Sequence, residues 1–207
     1  MNKGSALLIE DVQNDFCSGG ALAVPGGDEV VPVLNRYIDL FLEKGLPVFA
    51  SRDWHPAESS HFSDYGGIWP VHCVQGSEGA RFHPELKLPD DLVVISKGMD
   101  PTEDGFSSFE AVCEKGLSFS DSLAEKGVRH IFIGGLATDY CVKYTVLEAL
   151  KFRFSVTLLI DAVRGVDLKP GDAESAIREM VLAGAGVACR CLSSESFHNN
   201  FDRVYSI

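Results

Sequence analysis

The chain has 207 residues, of which 45% are apolar and 23% charged, and a formal net charge of −12. That acidity argues against a nucleic-acid partner or an anionic membrane surface. One domain spanning 1–207 is long enough to bury roughly 70% of its unfolded surface without disulfide staples. The six cysteines show no framework spacing, and the apolar run near the N-terminus is too short for an export signal or a membrane span. Reduced thiols in a cytoplasmic protein are therefore expected.

Short apolar runs alternate with helical patterns along the chain. Residues 6–9 read as the first strand and end at Glu10-Asp11. Val30, Leu34, Tyr37, Ile38, Phe41 and Leu42 recur at three- and four-residue intervals and predict a helix over 28–44, closed by Gly45. A second strand is expected at 47–51. From 52 to about 91 the periodicity stops, and the segment is rich in His, Gly, Pro, Ser and aromatics. So long an irregular stretch in a compact domain is usually functional, and its aromatic content argues for order.

Further strands are predicted at 92–96, 130–133, 156–160 and 187–189, with helices at 120–126, 139–151 and 171–182. Residues 98–110 form a second irregular piece. Cys189 and Cys191 read as two small buried residues beside the last strand rather than a metal or redox pair. Apolar strands alternating with helices predict an α/β fold with a parallel sheet covered on both faces.

In such sheets ligands bind beyond the carboxyl ends of the strands. The polar residues at those ends are Asp11, Arg52-Asp53, Lys97, the run Ala137–Cys141, and Asp161. Cys141 follows a strand and a Gly-Gly turn and is expected in the first turn of a helix, where unpaired N–H groups and the helix dipole favour a thiolate. Lys97 would stabilise that thiolate, and Asp11 would take the thiol proton and return it to a leaving amine. The N–H groups of Ala137 and Cys141 are natural oxyanion donors. A second constellation is Asp53-x-His55, with His61 and His72 in the same loop. Three imidazoles and one carboxylate suit Zn, Fe or Mn.

On these segments the chain resembles the nicotinamidase/pyrazinamidase branch of the isochorismatase-like cysteine hydrolases. The matching stretches are Asp11-Val12-Gln13-Asn14-Asp15-Phe16, Arg52-Asp53-Trp54-His55-Pro56, Trp69-Pro70-Val71-His72-Cys73, Lys97-Gly98 and Gly135–Val142, and the likeness runs from about residue 5 to 191. The Asp/Lys/Cys set marks the wider superfamily. Asp-x-His together with Trp-Pro-x-His-Cys singles out this branch. The resemblance implies a three-layer α/β/α fold with a six-stranded parallel sheet and a catalytic triad of Asp11, Lys97 and Cys141. It also implies a cis peptide between Leu136 and Ala137 that shapes the oxyanion hole.

Asp53, His55, His61 and His72 would then hold one divalent metal, zinc foremost, that orients a pyridine ring. Phe16, Trp69, Leu136 and Phe106 would enclose that ring. For Phe106, plain core packing is an equal alternative. The reaction implied is hydrolysis of nicotinamide to nicotinate and ammonia, as in NAD salvage, with pyrazinamide as a second substrate. The alternatives are a metal-free isochorismatase-like or carbamoyl-amide hydrolase, a zinc hydrolase using metal-bound hydroxide, and a non-enzymatic metal- or thiol-binding protein. A homo-oligomer is left open.

Overall fold

The computed structural model describes residues 1–189. Its framework is one sheet of seven strands in the order β4-β3-β2-β1-β5-β6-β7. The strands are β1 (Ser5–Glu10), β2 (Val48–Asp53), β3 (Val93–Lys97), β4 (Val112–Cys113), β5 (His130–Leu136), β6 (Ser155–Arg164) and β7 (Gly186–Ala188). Six of them pair in parallel, as expected. The seventh, β4, is a two-residue edge strand running antiparallel to β3, and it is the correction to the expected count. Two residues carry no readable alternation, which is why the sequence gives no sign of it.

The helices are α1 (Val30–Glu43), α2 (Phe119–Glu125), α3 (Lys143–Lys151) and α4 (Asp172–Leu182). The sheet separates two apolar layers. Alternate residues of β1 serve both: Leu7 and Ile9 pack with Leu34, Ile38 and Phe41 of α1, while Ala6 and Leu8 pack with Phe119, Leu123, Val146 and Met180 of α2–α4. All six residues of β1 are buried, as a central strand covered on both faces requires. The three-layer arrangement is therefore present. Among the described residues, no helix is long and apolar enough to cross a membrane.

Two predicted boundaries shift in ways that matter. The helix expected over 139–151 begins as a regular helix only at Lys143. Thr138–Val142 forms a separate irregular turn in which Tyr140 leaves helical geometry at φ −122°, ψ −110°. β6 is ten residues long and its pairing with β5 slips between Ile133 and Gly135. Asp161 thus lies inside β6, where Tyr37 Oη donates to it at 3.1 Å, and it is not a strand-end site residue. Between β2 and β3 the chain holds only the short 3-10 turn Ser63–Tyr65, so the irregular excursion is real. Of the Cys189/Cys191 pair, Cys189 is exposed at the end of the described chain, against the expected burial, and Cys191 lies outside the described residues.

Candidate active site

Parallel pairing brings the chemistry together. β1 lies between β2 and β5, where the strand order reverses direction, and the crevice at such a switch point opens at the strand carboxyl ends. Asp53 and Lys97 end β2 and β3 as register partners. Asp11 immediately follows β1, and Cys141 follows β5 by one turn. All four are buried, Asp11 completely.

Lys97 is the hub. Its Nζ stands 2.7 Å from Asp11 Oδ2 and 3.4 Å from Cys141 Sγ, donates to the Gly105 carbonyl at 2.8 Å, and pairs closely with Asp53 Oδ1. A fully buried ammonium needs such partners. Burial pushes Lys97 down, but Asp11 and Asp53 outweigh it and hold the group well above its usual value. Burial works against the anions too. It raises Asp11 despite the opposing field of Lys97. It also lifts the Cys141 thiol well above its ordinary range, with Lys97 opposing and Asp11 and Asp53 adding to the rise. The expected position at a regular helix start is corrected. Cys141 sits in the irregular turn, not in a regular first turn.

Asp11 occupies the left-handed region at φ 47°, uncommon for a side chain other than Asn, Asp or Gly. Ser51 of β2 holds it there: its hydroxyl donates to Asp11 Oδ1 at 2.7 Å and accepts the Asp11 N–H at 3.2 Å. The other carboxylate oxygen, Oδ2, faces the Lys97 ammonium at 2.7 Å.

The imidazoles form the second half of the site. One ligand atom from each of His55, His61 and His72 falls within 4.8 Å of the others, and all three residues are buried. His72 Nδ1 lies 2.7 Å from the Pro70 carbonyl and His61 Nδ1 2.9 Å from Asp104 Oδ1. A carbonyl and a carboxylate only accept, so both Nδ1 atoms carry the proton and both Nε2 atoms present lone pairs. Burial lowers both groups, His72 to about 4, so they are neutral at pH 7. His55 is fully buried with neither ring nitrogen partnered, a costly state unless something binds it.

Asp53 Oδ2 stands 3.6 Å from His55 Nε2 and 3.8 Å from His72 Nε2. This donor set fits a divalent metal ion. The ring of His55 also accounts for Gly98: at φ 63° a Cβ there would lie 2.4 Å from His55 Cε1.

Two further groupings of ligand-type atoms do not fit an ion. Between Asp11, Asp53 and Cys141 the Lys97 ammonium already supplies the positive charge. In the grouping of Cys17, Asp28 and His83, the imidazole Nδ1 accepts the Glu85 N–H at 3.2 Å. Its Nε2 therefore bears the proton and faces Asp28 Oδ1 at 3.4 Å, a staple between loop and helix.

Between the two halves lies an apolar pocket. Phe16, Trp69, Phe106, Leu136, Ala137, Tyr140 and Cys141 line it, with Asp53, His61 and His72 on one side. Every predicted ring-binding residue is thus on the wall, and a cis peptide joins Leu136 to Ala137. Tyr140, Leu22, Val24 and Val166 complete the wall and were not singled out from the sequence. Tyr140 meets Trp69 edge-on at 4.9 Å, and Phe106 stacks on Tyr144 at 5.2 Å. Asp139 holds Val166 in place by accepting the N–H groups of Val166 and Asp167 at 2.9 and 2.8 Å.

Arg52 turns away from the pocket. Its Nε donates to Ser96 Oγ at 2.9 Å and its guanidinium lies over Trp54. Gln13 also escaped the site prediction. Its amide pairs with both the N–H and the C=O of Asp53, at 2.8 and 2.9 Å, and donates to the Ala80 carbonyl. Such residues can be recognised only once the strands they bridge are paired.

Comparison with known proteins agrees with this geometry. The Isochorismatase domain matches residues 5–190. The nicotinamidase of Escherichia coli K12 is 43% identical over 196 residues, covering 87% of this chain and 92% of that protein. The pyrazinamidase of Pyrococcus horikoshii, solved in complex with zinc, superposes with a TM-score of 0.83 at 44% identity, over 90% of this chain and 99% of that one. PnC1 from L. infantum, solved in complex with nicotinate, has a TM-score of 0.79 at 33% identity, over 91% and 94%. By its matched domain, its sheet and the level of these identities, the chain belongs to the isochorismatase family.

Proposed function

We propose that this chain is a nicotinamidase, a cytoplasmic single-domain amidohydrolase that converts nicotinamide to nicotinate and ammonia and also deamidates pyrazinamide. The observation that carries the reading is the junction in one pocket of a buried Cys–Lys–Asp cluster and a lone-pair-bearing imidazole cluster. The first suits acyl transfer. The second, with aromatic walls, suits a flat heteroaromatic amide. The names of the relatives support the same substrate class. A metal-free carbamoyl hydrolase would leave the unpartnered, buried His55 without a purpose.

His55, His61, His72 and Asp53 are the residues that would hold one divalent ion, zinc in the first instance. When bound, that ion supplies a Lewis-acidic position that orients the ring nitrogen of the substrate.

The protein's own groups carry the chemistry. The thiol proton of Cys141 passes to Asp11 Oδ2 as Sγ attacks the amide carbon, and Lys97 stabilises the sulfur charge meanwhile. The carbonyl oxygen becomes an oxyanion on the N–H groups of Ala137 and Cys141, each worth roughly 3 kcal/mol when well aimed. Asp11 then delivers its proton to the amide nitrogen, the C–N bond breaks, and ammonia leaves a thioester behind. Asp11 next deprotonates a water that adds to the thioester. Collapse breaks the C–S bond, releases nicotinate and returns the proton to sulfur. The raised Asp11 suits this relay, in which it carries the thiol proton to ammonia and later a proton from water back to sulfur.

Ammonia release from nicotinamide by the purified protein tests the reading, run with and without chelator and beside Cys141→Ala. We expect turnover by the parent and a loss of more than about 10³-fold in the variant. Substantial turnover by Cys141→Ala would show that Cys141 is not the nucleophile and overturn the mechanism.

A further inference from the structure

Glu10 is a buried acid that the mechanism does not use. It ends β1, directly before Asp11, and is fully buried. Its Oε1 accepts the hydroxyl of Ser108 at 2.8 Å and that of Thr145 at 3.2 Å, while Thr145 Oγ1 accepts the Ser108 N–H at 2.9 Å. Ser108 and Thr145 are themselves fully buried. The second oxygen, Oε2, has no partner.

These bonds join three pieces of the active site. Glu10 belongs to the strand that presents Asp11. Ser108 opens the 3-10 turn Ser108–Glu110, two residues beyond the pocket-wall residue Phe106. Thr145 lies on α3, one helical turn after Cys141.

We infer that Glu10 is a positioning residue that locks the Phe106 wall and the helix behind Cys141 onto the strand bearing Asp11. Two hydroxyl protons converge on one oxygen, and neither an N–H group nor a cation pairs with the other. Two donors on one oxygen fix the carboxyl between the turn and the helix. Burial and the neighbouring Asp11 push the group up, against Lys97 and the two hydroxyls. A neutral Glu10 would spare a third negative charge where a single Lys97 ammonium already faces both Asp11 and Asp53. The residue touches neither substrate nor sulfur, so it acts through the placement of the wall.

The inference rests on the nicotinamidase reading, and kinetics on nicotinamide separate the two. Glu10→Leu removes the shared acceptor. We expect KM to rise about five- to tenfold with kcat changed less than about twofold, because the ring wall loosens while the triad stays. Glu10→Gln keeps the carbonyl acceptor and should hold KM within about twofold and leave the pH profile of kcat in place. Ser108→Ala should raise KM as well, and the double variant Glu10→Leu/Ser108→Ala should be no worse than Glu10→Leu alone.

An unchanged KM in Glu10→Leu, additive effects in the double variant, or a displaced pH profile in Glu10→Gln would overturn the inference. Should Glu10→Leu fail to fold, an unchanged KM in Ser108→Ala overturns it equally. Absence of turnover by the parent protein would instead strike the nicotinamidase reading.

Discussion

The two halves of the pocket are built by opposite means. Lys97 ends a strand, Asp11 directly follows one, and Cys141 follows β5 by one short turn, so the register of a parallel sheet brings them together. Their backbone is held by the sheet whatever the side chains do. The imidazoles stand on an irregular excursion in which Gln13, Pro70 and Asp104 supply the restraints one bond at a time. On the proposed reading, bond-breaking chemistry sits at the sheet's carboxyl edge, and recognition sits on a part held by individual side chains. A loop secured in this way can change its substrate without disturbing the cluster that cleaves.

Lys97→Met is the strongest blow to the sheet half. It leaves Asp11 and Asp53 buried without their shared cation, and breaking such a pair costs about 3–5 kcal/mol. Thermal unfolding should show that loss, together with a fall in turnover of more than about 10³-fold. A variant that keeps both would dissolve the division drawn between the halves.

His55→Ala should spare the sheet half and damage the loop half. Metal content, read by elemental analysis, should fall by most of an equivalent, and KM should rise more than kcat falls. Chelation of the parent protein should reproduce that pattern, and added zinc should reverse it. Asp104→Asn is a finer probe, since only the acceptor of the His61 Nδ1 proton changes. Metal affinity should drop about tenfold, at the low end for such supporting groups.

The smallest effect concerns pH. An acid with a raised pKa holds its proton in the folded state where the unfolded chain has lost it. Stability contributed by Glu10 is thus fully present below its unfolded value, about 4.3, and declines as pH rises towards the folded value. Glu10→Gln lacks that decline. Its melting temperature relative to the parent should therefore climb by a few degrees between pH 4 and pH 8. A difference that stays flat across this range would mean Glu10 is ionised in the native state.

Much of this was legible in the residues, and for identifiable reasons. Buried parallel strands are continuous apolar runs, so the polar residue that ends each run is conspicuous. Asp11, Lys97 and Cys141 are of that kind. The histidines are visible because four ligand-type residues crowd one aperiodic stretch. Ser51 and Gln13 were hidden because each acts on a residue 40 positions away, through bonds that exist only after strand pairing. Asp104 was hidden in a second irregular piece with no period to place it. Asp161 misled because β6 bulges and continues, so the polar residue that looked like an end is interior. The edge strand β4 is too short to leave a pattern.

Trp69 gives the pocket an optical consequence. The chain has two tryptophans, and only one lies on the pocket wall. Trp54 does not line the pocket, and its ring lies under the Arg52 guanidinium, 3.8 Å from the ring centre. Trp69 is 7% exposed and touches Tyr140 and His61, so an aromatic guest or an ion on the imidazoles alters its surroundings directly. The intrinsic emission of this protein is thus divided between an internal reference and a built-in gauge of occupancy. Substrate and metal binding can be followed separately from turnover, without a label, in a Cys141→Ala chain that cannot consume what it binds.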